Sequence, residues 1–163
     1  MEKSAIRNIY DGLERNVLIL IAIPIPFFAF AYLHSQNGTV AWELPELPAF
    51  WDSFLLGFVF AILGLHYVNF HNGIKQALKV DWNLEEKIKK YAAVTMQRFW
   101  ILFFAGLVCA LGLILFDNAG YTIAFAISLV FSSLGKPSPD RIIRLLRLKG
   151  EEKEEVELLK KRI

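Results

Sequence analysis

Leu84-Glu85-Glu86-Lys87-Ile88-Lys89-Lys90 begins a charged helix that passes, with no Gly or Pro before residue 99, into an uncharged run. That run is Phe99-Trp100-Ile101-Leu102-Phe103-Phe104-Ala105-Gly106-Leu107-Val108-Cys109-Ala110-Leu111-Gly112-Leu113-Ile114-Leu115-Phe116. Its 18 residues rise about 27 Å as α-helix, close to the hydrocarbon thickness of a bilayer. One helix is therefore predicted to leave water and cross a membrane, with Gln97 and Arg98 at the boundary. Asn83 and Glu86 have the Asn-x-x-Glu spacing of a capping box, which places the helix start at Leu84.

Three further uncharged windows repeat the pattern: Asn16 to Trp42, Ser53 to Ile74 and Asn118 to Gly135. Each has room for a span of about 17–25 residues. The chain is 55% hydrophobic, holds 14 Phe and 4 Trp, and has a mean hydropathy of +0.41. The expected fold class is therefore all-α, a polytopic membrane protein built as a four-transmembrane-helix bundle. Spans are expected at about 17–33, 54–70, 99–116 and 119–134, within one domain (1–135) followed by a cytoplasmic tail (136–163). The first apolar run starts after a charged 15-residue segment, runs too long for a signal-peptide core and lacks a small-x-small cleavage site, so no signal peptide is expected. The lone Cys109 lies within a span and excludes a disulfide framework.

Charge sets the orientation. Three basic residues (Lys3, Arg7, Arg15) precede the first span, six lie between the second and third, and nine follow Gly135, which accounts for all 18. The other two connections hold only acidic charges: Glu43, Glu46, Asp52 and Asp117. By the positive-inside rule both termini are expected in the cytoplasm, with the protein multi-pass in the cell inner (plasma) membrane. The net charge of +2 divides into about +6 inside and −4 outside, so it is no nucleic-acid signal.

Local signals fill in the chain. Residues 1–15 read either as an amphipathic helix at the cytoplasmic surface or, equally, as the solvated start of the first span, with Ile6, Ile9, Tyr10 and Leu13 on one face and Lys3, Arg7, Asp11, Glu14 and Arg15 on the other. Pro24 and Pro26 remove two backbone donors in the first span and predict a kink. It reads as a hinge on one view and as a fixed bend in a packed helix on the other, with the bend favoured. Pro45 and Pro48 deny a helix to the outer connection, Trp42, Phe50 and Trp51 read as an interfacial aromatic belt, and Asn37-Gly38-Thr39 matches a sequon common by chance. Gly57, Ala61 and Gly64 form a small-residue stripe for helix packing in span two, and Ala124, Ser128 and Ser132 one in span four. Asp117-Asn118-Ala119-Gly120 reads as a tight turn, making spans three and four antiparallel neighbours. In the tail, Ser138 is the expected N-cap with Pro139 next. The basic amphipathic helix Arg141–Leu148 is expected on the membrane surface, and Lys149-Gly150 its end. A second short helix follows, in which Val156, Leu158, Leu159 and Ile163 either offer a handle to a cytoplasmic partner or belong to a frayed, solvated tail, the tail being favoured.

The run from Lys90-Tyr91 through Gln97-Arg98, the short Asp117-Asn118 turn and Lys136-Pro137-Ser138-Pro139-Asp140-Arg141-Ile142-Ile143 carry a resemblance. In these the chain resembles a group of small four-helix inner-membrane proteins of the Bacteroidota. The resemblance covers the C-terminal half and implies the topology; it implies no activity.

Chemistry-bearing groups are few. The polar inner end of span two holds His66, Asn69 and His71; Gln97, Arg98 and Ser132 reach a similar depth. These six are the candidate ligand or lipid-headgroup residues. A bis-histidine haem is disfavoured because His66 and His71 share one helix about 140° apart, and a metal site because no acid or cysteine sits beside them. No cofactor or metal is expected. The span interiors hold no Asp, Glu, Lys or Arg, which argues against a proton-coupled pump. No Ser-His-Asp set, CxxC, phosphate loop or paired carboxylates occur at useful spacing, so no catalytic residue is assigned. The leading expectation is a non-catalytic accessory or scaffold subunit of a larger inner-membrane assembly. A small homo-oligomeric channel or transporter and a lipid-binding membrane protein are the alternatives. Expected partners are membrane lipids, other membrane subunits or a second copy, and a cytoplasmic protein through 141–163; nucleic acid is not among them.

Overall fold

The computed structural model describes residues 2–38, 45–79 and 81–161, with side chains from Ala5 onward. Thr39, Trp42, Glu43 and Ile163, and the side chain of Lys3, lie outside the described residues. Among the described residues seven α-helices follow one another: α1 (Glu2–Ala22), α2 (Pro24–Asn37), α3 (Ala49–Lys79), α4 (Leu84–Phe116), α5 (Gly120–Gly135), α6 (Pro139–Leu146) and α7 (Glu151–Glu157), with a 3-10 turn at Leu158–Lys160. No strand occurs among the described residues.

Helix α4 is the axis of the molecule; α1, α2, α3, α5 and α6 all pack against it. Its boundaries are those the sequence predicts. The Asn83 side chain accepts from the Glu86 N–H at 2.9 Å, and the helix ends where Asp117 turns left-handed (φ 51) and its N–H reaches Leu113 O. At 33 residues it is about 50 Å long, well beyond a bilayer core. Among the described residues three stretches are long and apolar enough to cross a membrane: Ala5–Asn37 taken through Ile23, α3 and α4. The surface agrees with a membrane setting. Phe27 (58% exposed), Phe104 (63%) and Leu134 (65%) point outward, while His66, Thr95, Arg98, Ser128 and Ser132 are buried. That inverts the distribution of a water-soluble protein.

From Glu2 onward the N-terminal segment is the start of the first span and not a separate surface helix. It forms the leading turns of α1, which continues to Ala22. Ile6, Tyr10, Leu13, Val17 and Leu20 are buried in one stripe, and Pro24, Phe28 and Ala31 of α2 extend it. Spacings of three and four residues hold the stripe on one side across the junction. Ile23 keeps helical angles (φ −63, ψ −45) and donates to Ile19 O at 3.1 Å. Pro24 sits over Gly106, where an added Cβ would be 3.1 Å away. Pro26 is exposed. Phe28 stacks on Phe125 at 4.0 Å, joining α2 to α5.

Helix α3 runs to Lys79, past the uncharged window that ends at Ile74. The tight α3–α4 approach explains this: a Cβ on Gly73 would come 2.7 Å from Val94, so the antiparallel pair continues past the apolar run. The stripe Gly57, Ala61, Gly64 faces outward, whereas Ala105, Cys109, Gly112, Ala124 and Ser128 face the core. At the end of the bundle where α4 turns into α5, Asn118 Nδ2 donates to Asp52 Oδ2 (3.0 Å), Tyr121 Oη to Asp52 O (3.0 Å), and Ser35 Oγ to Asp117 Oδ1.

The tail folds back on the bundle. Ser138 caps α6 as its sequence predicts, its Oγ accepting from the Arg141 N–H at 3.2 Å. The helix ends at Leu146, two residues early, because Arg147 turns left-handed (φ 53) and Leu148 tucks inward, its N–H on Ile143 O. Ile142, Leu146, Leu148, Val156 and Leu159 are buried. The face expected to lie on lipid is thus turned into the protein, and of the expected partner handle Leu158 alone is exposed among the described residues. Lys87–Glu152 (3.1 Å) and Lys160–Asp140 (2.6 Å) pair charges around the tail, and Arg7 donates to Leu158 O and Lys161 O (3.0 and 3.1 Å).

Candidate functional site

The six predicted site residues divide into two groups. His66, Arg98 and Ser132 are buried; Asn69 and Gln97 are exposed, and His71 is half-buried. Helix geometry explains the split. Gln97 is one residue, about 100°, before Arg98 on α4, while Asn69, about 60° round α3 from His66, falls beyond the edge of the buried stripe Val59, Leu63, His66 and Phe70.

Among the buried three, His66 packs its ring edge-on to Phe131 at 4.7 Å, and neither ring nitrogen has a hydrogen-bond partner. Ser132 Oγ donates to Ser128 O (2.9 Å), and Ser128 Oγ to Phe125 O (2.7 Å). Both hydroxyls are satisfied by their own helix, and they line an interior space of only about 10 Å³ between α1, α2, α4 and α5, room for one water at most. Arg98 is 4% exposed. Its Nη2 donates to Phe131 O at 3.2 Å, and its Cζ stands 4.8 Å from the centre of the Phe70 ring. His71 turns onto its own helix, with Nδ1 3.0 Å from Tyr67 O and its ring 4.2 Å from Tyr67.

Sequence reasoning missed three members of this layer, Arg141, Tyr91 and Thr95. Arg141 of α6 lies 5.7 Å from the Phe70 ring, so two guanidiniums address one phenyl ring. Tyr91 and Thr95 bury their hydroxyls on the face of α4 that carries Arg98. The i, i+4, i+7 spacing of Tyr91, Thr95 and Arg98 was a readable signal. Nothing in the sequence brings Arg141 there, because α6 reads equally well as a helix lying on lipid.

The two exposed amides belong to a groove of about 410 Å³ between α3 and α4, lined by Ile62, Leu65, Asn69, Gln97, Trp100, Ile101 and Phe104. It is apolar along its length and polar at one end. The Gly57–Ala61–Gly64 stripe lies beside it on α3, and an added Cβ at Gly57 or Gly64 would meet nothing within 4 Å. No cluster of three or more metal-ligating side chains occurs among the described residues. Comparisons with protein-family models, curated proteins and solved structures find no match.

Proposed function

We propose that this chain is a four-span protein of the inner membrane, with both ends in the cytoplasm, and that it acts as a non-catalytic accessory or scaffold subunit of a larger membrane assembly. The division of basic residues, 18 on one side and none on the other, supports the orientation. Helix α5 would be the fourth span. It is 16 residues long, about 24 Å, runs antiparallel to α4 after a three-residue turn, and matches a locally thinned bilayer.

The observation that carries the subunit reading is the outer face of α3. Gly57, Ala61 and Gly64 point almost directly away from the buried side of their own helix, beside the groove that ends in the Asn69 and Gln97 amides. In lipid, helices associate through close backbone approach at small residues and through interhelical hydrogen bonds, because lipid tails are as apolar as leucine. A transmembrane helix of a partner subunit, carrying polar side chains at the level of the two amides, fits this face. The channel alternative draws less support, since the Ser128 and Ser132 hydroxyls are taken up within their own helix.

Native mass spectrometry after gentle extraction tests the proposal. A mixed complex is expected, lost in Gly57→Leu/Gly64→Leu and kept in Ile123→Leu on the exposed face of α5. A mass that is a small multiple of 18.6 kDa, with no other polypeptide, would refute it.

A further inference from the structure

At the C-terminal end of α5 the charges do not balance. The helix stops at Gly135 without a left-handed cap; Lys136 continues at φ −55, ψ 128. Its last carbonyls are met by arginines from two other helices. Arg98 of α4 donates to Phe131 O, and Arg141 of α6 donates through Nη1 to Leu134 O at 2.8 Å. Gly135 makes the approach feasible, since a Cβ there would stand 2.8 Å from the Arg98 Cζ. A helix C-terminus supplies about −0.5 charge. Two guanidiniums, always protonated in proteins, supply +2. About +1.5 is left over on this arithmetic. None of the ion pairs among the described residues includes Arg98 or Arg141. The groups acting electrostatically on Arg98 are Arg141, Tyr91 and Tyr67, with no carboxylate among them.

The unused hydrogen-bonding capacity is on the donor side. Arg98 Nε, Arg141 Nε, Tyr91 Oη and Thr95 Oγ1 are buried without hydrogen-bond partners. Tyr91 Oη is within interaction range of both Thr95 and Arg141. Two guanidinium edges and two hydroxyls call for a ligand with several acceptor oxygens and a charge between −1 and −2. A phosphate group has both, and guanidinium forks match its geometry. A carboxylate has two oxygens and one charge, too few for the set. Arg98 also lies where the uncharged run of α4 begins, the depth of lipid headgroups, and Tyr67 (49% exposed) and Leu134 (65%) border the layer on the lipid-facing surface.

We propose that Arg98 and Arg141, with Tyr91 and Thr95, bind the phosphate group of an anionic ligand, a phospholipid headgroup or free inorganic phosphate. The bound phosphate supplies the missing counter-charge, and because one ligand joins α4 to α6, it also pins the tail to the bundle.

The test is a titration of the purified full-length chain in non-ionic detergent, read by native mass spectrometry, with phosphatidylglycerol, phosphatidylcholine or inorganic phosphate as probe. Arg141→Gln is the main variant, because Arg98 is buried deeply enough that its loss threatens folding. Arg144→Gln, exposed on the same helix, makes the same change in net charge. The expected result is phosphatidylglycerol binding weakened about tenfold or more by Arg141→Gln, the worth of a charged hydrogen-bonded contact, and unchanged by Arg144→Gln. Helicity equal to wild type confirms that Arg141→Gln is folded. Inorganic phosphate that displaces phosphatidylglycerol, and binds wild type but not Arg141→Gln, would identify the free anion as the ligand. Equal binding of phosphatidylglycerol and phosphatidylcholine, equal losses in the two arginine variants, or no anion bound at all would each overturn the proposal.

Discussion

Gly112 and Gly57 both sit in apolar helices, yet alanine at the two positions should act oppositely on stability. A Cβ on Gly112 would fall 2.4 Å from Tyr121 Cε1 and 2.6 Å from its Cζ. Ordinary contact begins near 3.4 Å, so the ring must retreat by about 1 Å. Tyr121 is fully buried, and its hydroxyl donates to Asp52 O at 3.0 Å. Overpacking of this kind costs about 1–3 kcal/mol. The displaced hydrogen bond adds about 1 kcal/mol. Replacing a helical glycine returns about 1 kcal/mol, which offsets the hydrogen bond and leaves a net loss of about 1–3 kcal/mol. At Gly57 a Cβ meets nothing, so Gly57→Ala keeps only the helix gain. The two variants should then differ by about 2–4 kcal/mol in reversible unfolding by SDS in mixed micelles. Trimming the ring checks the cause. Gly112→Ala combined with Tyr121→Leu should be less destabilised than the sum of the single changes, with coupling of about 0.5–3 kcal/mol. A Gly112→Ala protein as stable as wild type, or no coupling to Tyr121, would refute the close α4–α5 packing.

Two shorter tests probe other parts of the fold. Asn83→Ala removes the side chain that accepts from Glu86 N–H; it should cost about 1 kcal/mol and raise hydrogen exchange in the first turn of α4 while leaving Asp117 onward unchanged. Cys109 is fully buried, so its thiol should resist a maleimide in the folded protein and react once SDS has unfolded it. Rapid labelling in native micelles would contradict the enclosed position of α4.

The candidate site was legible only in part. His66, Arg98 and Ser132 could be placed at one depth from their positions along the spans, and they do turn inward. Asn69 and Gln97 were placed at the same depth and turn outward, because depth along a helix says nothing about azimuth. Arg141 was read onto the membrane surface: the alternation of Arg141, Arg144 and Arg147 with Ile142, Leu145 and Leu146 suits a lipid surface and a protein surface alike. The stack of two arginines on Phe70 depends on that unreadable contact.

The features set by sequence alone are those made within a few residues. Asn83 caps α4, Ser138 caps α6, Asp117 to Gly120 turns the chain, and the long apolar runs put the helices in a membrane. Each follows from a side chain meeting nearby backbone, or from the length of an uncharged run against a bilayer. Tertiary structure alone decided which faces meet. In water an apolar stripe must turn inward, so a helix announces its buried side. A membrane helix is apolar all round, and lipid accepts leucine as readily as the protein interior does. Shape then decides: Gly112 receives Tyr121, Gly106 receives Pro24 and Gly73 receives Val94, while Gly57 and Gly64, the same residue in the same kind of run, are left facing out.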